Sequence, residues 1–368
     1  MKRFKNLYEQ IIDYENLWNA YLNARKGKRY RGEVLKFTNN VEENLIQIQN
    51  ELIYKTYKIG RYREFYVHEP KKRLIMALPF RDRVVQWAIY QVLEPLFDRQ
   101  FIKDSYACRK GMGVQKAADR VQYWTRKLER SHKKPYCLKL DISKYFYRID
   151  HDVLLNILNR KIKDDDLIWL LSIIIRSEDT PFGVPLGDHG FESERIPDIG
   201  MPIGNLVSQL FANLYMNELD QYAKHDMRIR HYIRYMDDVV ILHQEKKELH
   251  RILEEIEVFL SYELKLQLNN KTSIRPIRDG IEYVGYRIWS THRKLSKKTA
   301  KKMKARFKYL KKAYSRGEVN ADDVRSTVAS YLGLMKHANC YNLRKKTLKD
   351  FKLQRDSLSH MGKYEKIL

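Results

Sequence analysis

The stretch RYMDDVVIL, residues 234–242, sets two adjacent carboxylates, Asp237 and Asp238, between two short apolar runs. Runs rich in β-branched and aromatic residues, split by a short polar step, predict a β-hairpin with the carboxylates at its tip. Adjacent like charges repel, and a hard divalent cation such as Mg²⁺ relieves that repulsion. The stretch alone also fits a solvated Asp-Asp turn, so the rest of the chain has to decide between the two interpretations.

The 368-residue chain is basic from end to end. Lysine and arginine total 71 against 46 aspartates and glutamates, which gives a net charge of +25. A globular chain with this charge most often binds a polyanion, and its 26 tyrosines interleave aromatic rings with the basic residues. The composition therefore favours a nucleic-acid-binding protein over a merely soluble basic one, and the length allows two or three subdomains.

The cysteines and the apolar runs indicate a cytoplasmic protein without a membrane partner. Cys108, Cys137 and Cys340 lie far apart, fit no zinc-ligand spacing and, as a sparse odd set, suggest a reducing compartment. The longest apolar stretch, LIWLLSIII at 167–175, is far shorter than the ~20 residues that a membrane-spanning helix needs. The opening residues MKRFKNLYEQ lack the apolar core of a signal peptide.

The N-terminal part predicts helices followed by one basic hairpin. Apolar residues at helical spacing indicate an amphipathic helix over 4–24, and a second helix fits 39–56. Within 62–80, EFYVH and RLIMAL predict two strands joined by HEPKK. Lys71 and Arg73 at the tip suit a triphosphate, although an ordinary exposed lysine-rich turn fits the local pattern equally well.

A second carboxylate-bearing strand lies upstream of the first stretch. CLKLDI, residues 137–142, predicts a short apolar strand that ends at Asp141. A strand-terminal aspartate is a natural metal ligand because the sheet fixes its backbone while its head faces an open edge. Two-metal phosphoryl transfer needs such carboxylates around ions ~4 Å apart. Asp150 instead predicts a helix N-cap, and the acidic run 164–166 predicts a solvated helix start.

The remaining segments complete an ordered series of parts. GMPIG opens a helix within 200–220, and an amphipathic helix fits 244–268. Lys271 follows, and IEYVGYRIWS at 281–290 predicts a strand pair or a bend around its glycine. From residue 297 onward, apolar stripes with lysines on the other faces predict a small helical unit.

In this order the parts resemble those of reverse transcriptases over roughly residues 60–290. The Tyr-Met-Asp-Asp hairpin and the upstream strand with LDISKYF carry most of the resemblance. The resemblance implies an α+β fold of the right-hand polymerase type, with a palm built on an antiparallel sheet. The expected domains are fingers 1–135, palm 136–293, a small helical thumb 294–345 and a C-terminal tail 346–368.

The resemblance also implies roles in RNA-directed DNA synthesis. Asp141, Asp237 and Asp238 would be the catalytic carboxylates and would hold two Mg²⁺ ions, assisted by the Ile142 carbonyl. The residues expected to border the dNTP substrate or the nascent base pair are Lys71, Arg73, Phe146, Ile203, Gly204, Gln209 and Lys271.

Individual roles follow from the same resemblance. Phe146 would stack under the sugar and exclude a 2′-hydroxyl, and Gln209 would touch the template side. Lys271 is a candidate for protonating the leaving group. Tyr283 to Tyr286 would grip the primer, and the basic thumb helix would follow the RNA–DNA duplex.

Within that superfamily the chain looks most like the reverse transcriptases of diversity-generating retroelements. Most other members carry Pro-Gln-Gly and Ser-Pro where this chain has Ile203 and Gln209, and YACRKG at 106–111 and GYRIWSTHRKL at 285–295 support the same subfamily. Loss of the polar glutamine removes a hydrogen bond worth roughly 0.5–1.5 kcal/mol beside the incoming nucleotide. The resemblance therefore implies error-prone cDNA, with errors opposite template adenine.

The subfamily implies a bacterial or phage-encoded enzyme that copies a template-repeat RNA in order to diversify a target protein. Its expected partners are the RNA template, a small basic oligomeric accessory variability protein and a structured retroelement RNA. Alternatives stay open: a group II intron, retron or phage-defence reverse transcriptase, a template-independent polymerase, or a non-catalytic RNA-binding scaffold. We expect no appended maturase-like, endonuclease or zinc segment, and this expectation and the Ile203/Gln209 pair argue against an intron protein. The intact carboxylates argue against a scaffold.

Overall fold

Four short helices precede the first strands in the computed structural model, which describes residues 3–67, 73–131, 134–177, 180–184, 195–349 and 351–355. They are α1 Tyr8–Ile12, α2 Tyr14–Arg25, α3 Gly32–Asn39 and α4 Val41–Ile53. The single helix predicted over 4–24 is therefore two. Asp13 leaves the helical conformation at ψ 135°, and its carboxylate accepts from the Asn16 amide as the N-cap of α2.

The predicted basic hairpin is present as two antiparallel strands. β1 Arg63–Val67 pairs with β2 Arg73–Ala77, so that Arg63 lies opposite Ala77. The connection between them, including Lys71, lies outside the described residues. Helix α5 Phe80–Asp98 follows directly and packs against α2.

The middle of the chain alternates helices with the strands that carry the aspartates. Strand β3, Tyr136–Asp141, ends at Asp141 as the sequence predicts. Strands β4, Tyr232–Tyr235, and β5, Asp238–His243, form the hairpin that carries Asp237 and Asp238. The elements in order are α6 Val114–Ser131, β3 Tyr136–Asp141, a 3₁₀ turn Tyr145–Tyr147, α7 His151–Lys161, α8 Asp165–Arg176, α9 Leu206–Gln221, a π-helical turn Tyr222–Asp226, β4 Tyr232–Tyr235, β5 Asp238–His243 and α10 Lys246–Glu263.

The C-terminal part is a small sheet followed by helices. Its elements are β6 Ser273–Pro276, a 3₁₀ turn Ile277–Asp279, β7 Ile281–Tyr283, β8 Tyr286–Ile288, β9 Arg293–Leu295, α11 Lys297–Ser315, α12 Ala321–Lys336 and α13 Tyr341–Lys349. Strands β7, β8 and β9 form an antiparallel sheet in that order, and a four-stranded sheet has the order β4-β5-β3-β6. The helices confirm the predicted helical unit after residue 297.

Two acidic helix starts behave differently from one another. Asp150 is the N-cap of α7, as predicted, and its carboxylate accepts from the Val153 amide at 3.0 Å. The predicted solvated start at 164–166 is wrong for Asp164. Besides capping α8, Asp164 accepts from the amides of Leu7 at 2.7 Å and Tyr8 at 2.9 Å. Tertiary hydrogen bonds therefore use a carboxylate that the local pattern assigns to solvent.

The chain forms two compact units, each made of three segments. The first is Met1–Gly111, Lys139–Val240 and His250–Ser273, and the second is Met112–Leu138, Ile241–Leu249 and Ile274–Leu368. The division into fingers, palm, thumb and tail stays a prediction. In the ranges given above, no helix has the length and apolar character that crossing a bilayer requires.

Helix α9 is buried over most of its length in the first unit. Most of its residues are buried, and they include the polar side chains Asn213, Asn217 and Asp220. The helix packs against α5. Buried polar groups require hydrogen-bond partners, so the polar face of α9 marks a place where other segments must supply them.

Candidate active site

The aspartate pair lies at the tip of the β4–β5 hairpin. Met236 and Asp237 form the two-residue turn, and Asp238 begins β5. Met236 has φ +57°, a left-handed conformation that costs a residue other than glycine about 1–2 kcal/mol. Tight hairpin turns require positive φ, which explains why the hairpin imposes this conformation on a methionine. The predicted hairpin with carboxylates at its tip is confirmed.

Asp141 is held at the end of β3 by the segment after α10. The Asn269 side chain donates to the Asp141 carboxylate at 2.6 Å, and its backbone amide donates to the Asp141 carbonyl at 2.9 Å. Lys271 lies 3.6 Å from the same carboxylate, and its amide donates to the Asn269 side chain at 2.7 Å. Ile142 pairs with Leu268 in an isolated antiparallel bridge. The fold therefore brings Lys271 to Asp141, across a long stretch of sequence.

Asp238 has a cationic partner that the sequence reasoning missed. The Lys139 ammonium lies 3.3 Å from its carboxylate. Burial raises the pKa of the Asp238 carboxyl to about 7, Lys139 opposes that effect, and the charges of Asp237 and Asp141 add to it. A signal was available, because Lys139 stands two positions before Asp141 and so lies on the same face of β3.

The donor chemistry suits a hard divalent cation. Oδ1 of Asp238 is buried and has no hydrogen-bond partner. Strands β3 and β5 are neighbours, and Lys139, two residues before Asp141, lies 3.3 Å from Asp238, so the three carboxylates lie in one region. Within the part of the chain that the structure describes, no group of three or more His, Cys, Asp or Glu side chains is arranged to hold a metal ion. The assignment of two Mg²⁺ ions stays a prediction.

The turn before α9 lies against strand β2. The Ile203 carbonyl accepts from the Met76 amide at 3.3 Å, and its side chain packs on a cluster of buried residues. Gly204 has φ +117°, and a Cβ there would lie 3.3 Å from Ile75, so the site favours glycine on both counts. The cluster consists of Tyr62, Leu74, Met76, Leu78 and Phe182. Ile203 and Gly204 thus border the hairpin predicted to hold the triphosphate.

The structure gives fewer contacts for the other predicted nucleotide-binding residues. Phe146 lies in the 3₁₀ turn, where its carbonyl accepts from the Met201 amide at 2.6 Å. The Gln209 side chain accepts from the exposed thiol of Cys108, with Sγ and Oε1 3.4 Å apart. Arg73 begins β2, but its side chain and all of Lys71 lie outside what the structure describes.

The predicted primer-gripping residues form the β7–β8 turn of the second unit. Val284 at φ +42° and Gly285 at φ +86° are both left-handed. The Gly285 carbonyl accepts from the Ser296 amide at 2.9 Å and from the Thr299 hydroxyl at 3.1 Å. These bonds tie the turn to the N-terminus of α11. The role in binding primer stays a prediction.

Comparison with known proteins places this geometry in a family context. The family model described as "Reverse transcriptase (RNA-dependent DNA polymerase)" matches residues 67–288, more than half of the chain.

Among curated proteins, Protein YkfC of Escherichia coli K12 is 27% identical over 276 residues, covering 66% of this chain and 70% of that protein. The group II intron-encoded protein LtrA of Lactococcus lactis subsp. cremoris is 26% identical over 230 residues, covering 60% of this chain and 35% of LtrA. This chain therefore spans only about a third of the length of that intron protein. A solved telomerase from Candida tropicalis, in complex with a fragment of telomeric RNA, has a TM-score of 0.48 at 11% identity, covering 82% of this chain and 58% of that one.

Proposed function

Because the chain belongs to the reverse transcriptase family, we propose that it copies an RNA template into DNA from dNTP substrates. The observation that carries the proposal is the shared region of Asp141, Asp237 and Asp238 at a strand end and a hairpin tip. These carboxylates would hold the divalent ions. When bound, such ions activate the primer 3′-hydroxyl and neutralise charge on the leaving pyrophosphate.

The neighbouring side chains have separable tasks in this proposal. Asn269 fixes the Asp141 carboxylate by a short charge-assisted hydrogen bond, so that one oxygen keeps a defined direction. The Lys139 ammonium, 3.3 Å from the Asp238 carboxylate, offsets its charge. The Lys271 side chain is 63% exposed, and its loose 3.6 Å contact with Asp141 leaves it able to reach a departing phosphate.

Substrate nucleotides would lie between β2 and the turn that opens α9. The Ile203 carbonyl bond to the Met76 amide fixes that turn against the hairpin, and Gly204, which has no side chain, lets the turn lie close to Ile75 of β2. Phe146, in the 3₁₀ turn just after β3, would stack under the sugar and exclude a nucleotide that carries a 2′-hydroxyl.

The direct test is primer extension by the purified protein on an RNA template with Mg²⁺ and all four dNTPs. We expect cDNA from the unmodified chain and none from Asp237→Asn, since the neutral amide binds a divalent cation far more weakly than a carboxylate. RNA binding should stay largely intact. Asp226→Asn, the same substitution at an exposed turn, is the matched control and should extend normally. Extension by Asp237→Asn at the control rate would contradict the assignment of the carboxylates.

We further propose that the enzyme is of the diversity-generating type, cytoplasmic and bacterial or phage-encoded. Ile203 and Gln209 support this proposal because both match the subfamily. At position 203 an apolar side chain in place of a polar one removes a hydrogen bond that would restrain base pairing. In this proposal it copies a template-repeat RNA with adenine-directed errors, in company with a structured RNA and a small basic accessory protein.

A second candidate is a group II intron-type reverse transcriptase. It is supported by the similarity to LtrA, whose name describes a group II intron-encoded protein. Such an enzyme would copy RNA faithfully, so the two candidates differ in a measurable property of the cDNA.

Deep sequencing of the cDNA distinguishes them. Errors concentrated at template adenines favour the diversity-generating type, and uniformly accurate cDNA favours the intron type. In the first case Ile203→Gln should lower the error rate at adenines, whereas Ile203→Val, which keeps the site apolar, should not. An error spectrum that is the same in all three proteins would show that infidelity originates elsewhere.

A further inference from the structure

A fully buried arginine lies directly beneath the aspartate-bearing turn. Neither the Arg234 side chain nor its ion-pair partner Asp220 has any solvent exposure. Burial disfavours the charge of Arg234, but the Asp220 carboxylate outweighs that effect and raises the pKa of the guanidinium. An ion pair this deep is costly to bury, and replacing it by apolar side chains is often neutral or stabilising. A gain in stability therefore does not explain why the Arg234–Asp220 pair is buried.

The hydrogen bonds of Arg234 show what it holds. Nε and Nη2 donate to the two oxygens of Asp220 at 2.7 and 2.6 Å. Nη2 also donates to the Asn213 carbonyl at 3.4 Å, and Nη1 donates to the Asn213 side chain at 3.1 Å. The remaining Nη1 bond, at 3.0 Å, goes to the carbonyl of Met236. A guanidinium has five N–H donors, so this set uses all of them.

The Met236 carbonyl belongs to the peptide that joins Met236 to Asp237. Met236 is the left-handed residue of the turn, with φ +57°. A strained turn residue stays in place only where its surroundings hold it, and a bond to its own carbonyl is a direct means of doing so. Arg234 thereby restrains the backbone from which the Asp237 side chain projects.

The arginine is itself anchored from several segments. Its backbone amide donates to the Asp104 carbonyl and its carbonyl accepts from the Tyr106 amide, both at 3.0 Å. The Tyr232 hydroxyl donates to Asp220 at 2.7 Å, and the Asn213 side chain donates to the Ala107 carbonyl at 2.7 Å. Strand β4, helix α9 and the loop after α5 thus converge on one guanidinium.

We propose that Arg234 is a positioning residue of the active site: paired with Asp220, it fixes the Met236–Asp237 peptide so that the Asp237 carboxylate is aligned for the metal ions. The inference rests on the proposed polymerase function and deepens it. Arg234 stands one position before the Tyr-Met-Asp-Asp sequence. In this inference it orients the Asp237 carboxylate and does not itself bind metal.

Arg234→Lys is the sharpest perturbation, because lysine keeps the charge opposite Asp220 but has three donors on one nitrogen instead of five in a planar fork. It cannot bind both Asp220 oxygens and the Met236 carbonyl in the same geometry. We expect kcat for primer extension to fall about tenfold or more and metal affinity to weaken about tenfold, as is typical when a group that orients a ligand is lost. KM for dNTP should change less than about twofold.

Arg109→Lys is a closely matched control. Arg109 also uses five bonds, three to Asp98 and two to the Ile102 and Ser105 carbonyls, in the same unit. None of these bonds reaches the catalytic turn. Both variants lose an arginine fork with five bonds, although Asp98 is 37% exposed and Asp220 is not exposed at all. Melting temperatures therefore measure the structural cost of each variant, and an effect of Arg234→Lys on catalysis beyond that cost reports positioning.

The measurements are steady-state extension with Mg²⁺, melting temperature, and calorimetric titration of the primer-free protein with Mn²⁺. Asp237→Asn serves to identify the Mn²⁺ site. The proposal holds if Arg234→Lys weakens Mn²⁺ binding and lowers kcat well beyond Arg109→Lys, and it is overturned if the two variants change alike. If Arg234→Lys does not fold, Asp220→Asn, which leaves the fork without its anion, is judged by the same comparison. An unmodified protein that binds Mn²⁺ but makes no cDNA would refute the polymerase function, while the binding comparison still decides the role of Arg234.

Discussion

The hydrogen bond from Asn269 to Asp141 offers a quantitative test of how the site is organised. At 2.6 Å to a carboxylate, it belongs to the charge-assisted class, which contributes about 1.5–3 kcal/mol. The Asp141 side chain is 26% exposed, which places the value near the lower end of that range. Since about 1.4 kcal/mol corresponds to a factor of ten, Asn269→Ala should raise the half-saturating Mg²⁺ concentration in primer extension about tenfold.

Lys271→Met provides the contrast within the same site. Its ammonium lies 3.6 Å from Asp141 and its side chain is 63% exposed, so the ion pair contributes about 0–1 kcal/mol. Its removal should change the Mg²⁺ requirement less than about fivefold, and downward, because the lysine competes with the cation for the carboxylate. Both variants are compared at equal folded fraction, judged by their melting curves. If Lys271→Met has the larger effect on the Mg²⁺ requirement, or if Asn269→Ala changes it by less than twofold, short hydrogen bonding does not organise Asp141.

Three further outcomes follow from individual groups. Tyr145→Phe should lower the free energy of unfolding by about 1–3 kcal/mol in urea denaturation, because the buried hydroxyl donates to a main-chain carbonyl of α9 at 2.5 Å; an unchanged midpoint would contradict this. Burial lowers the pKa of His151 below its ordinary 6.5, so the unfolded chain takes up the proton first as the pH falls. The free energy of unfolding should therefore decrease below about pH 6.5, and its slope against pH should be smaller in His151→Gln. Cys108 is the exposed thiol while Cys137 and Cys340 are buried, so N-ethylmaleimide should label one site in the folded protein and none in Cys108→Ser, as mass spectrometry would show.

Local patterns predicted those parts of the fold that depend on neighbouring residues. The hairpin around Asp237 and the strand that ends at Asp141 follow from runs of apolar and β-branched residues over a few positions. The N-cap at Asp150 likewise depends on an amide three residues away. The resemblance to reverse transcriptases over roughly residues 60–290 then supplied the reason to connect these pieces, and the family model that matches 67–288 agrees with it.

Local patterns do not predict features that depend on segments far apart in the sequence. Asp164 lies at a helix start as expected, but it caps that helix and also binds amides of residues near the N-terminus, where solvent was expected. Asn269 lies in a segment without a recognisable motif, and only folding brings it to Asp141. Arg234 lies in β4, where Tyr232, Ile233 and Arg234 are all buried, and nothing local identifies Asp220 as its partner.

The positive groups around the aspartates differ in a way that suits catalysis. Arg234 and Asp220 form a neutral buried pair, so they restrain the turn without cancelling the negative charge of the carboxylates that face the site. Lys139 and Lys271 do offset that charge, but their side chains are 31% and 63% exposed and their contacts are 3.3 and 3.6 Å long. The Lys271 side chain is mostly exposed, and ion pairs in contact with water are weak, so a divalent cation can displace that lysine from Asp141 at low cost. In the proposed function the buried Arg234–Asp220 pair thus fixes geometry, while the two lysines would balance charge until a cation and a triphosphate bind.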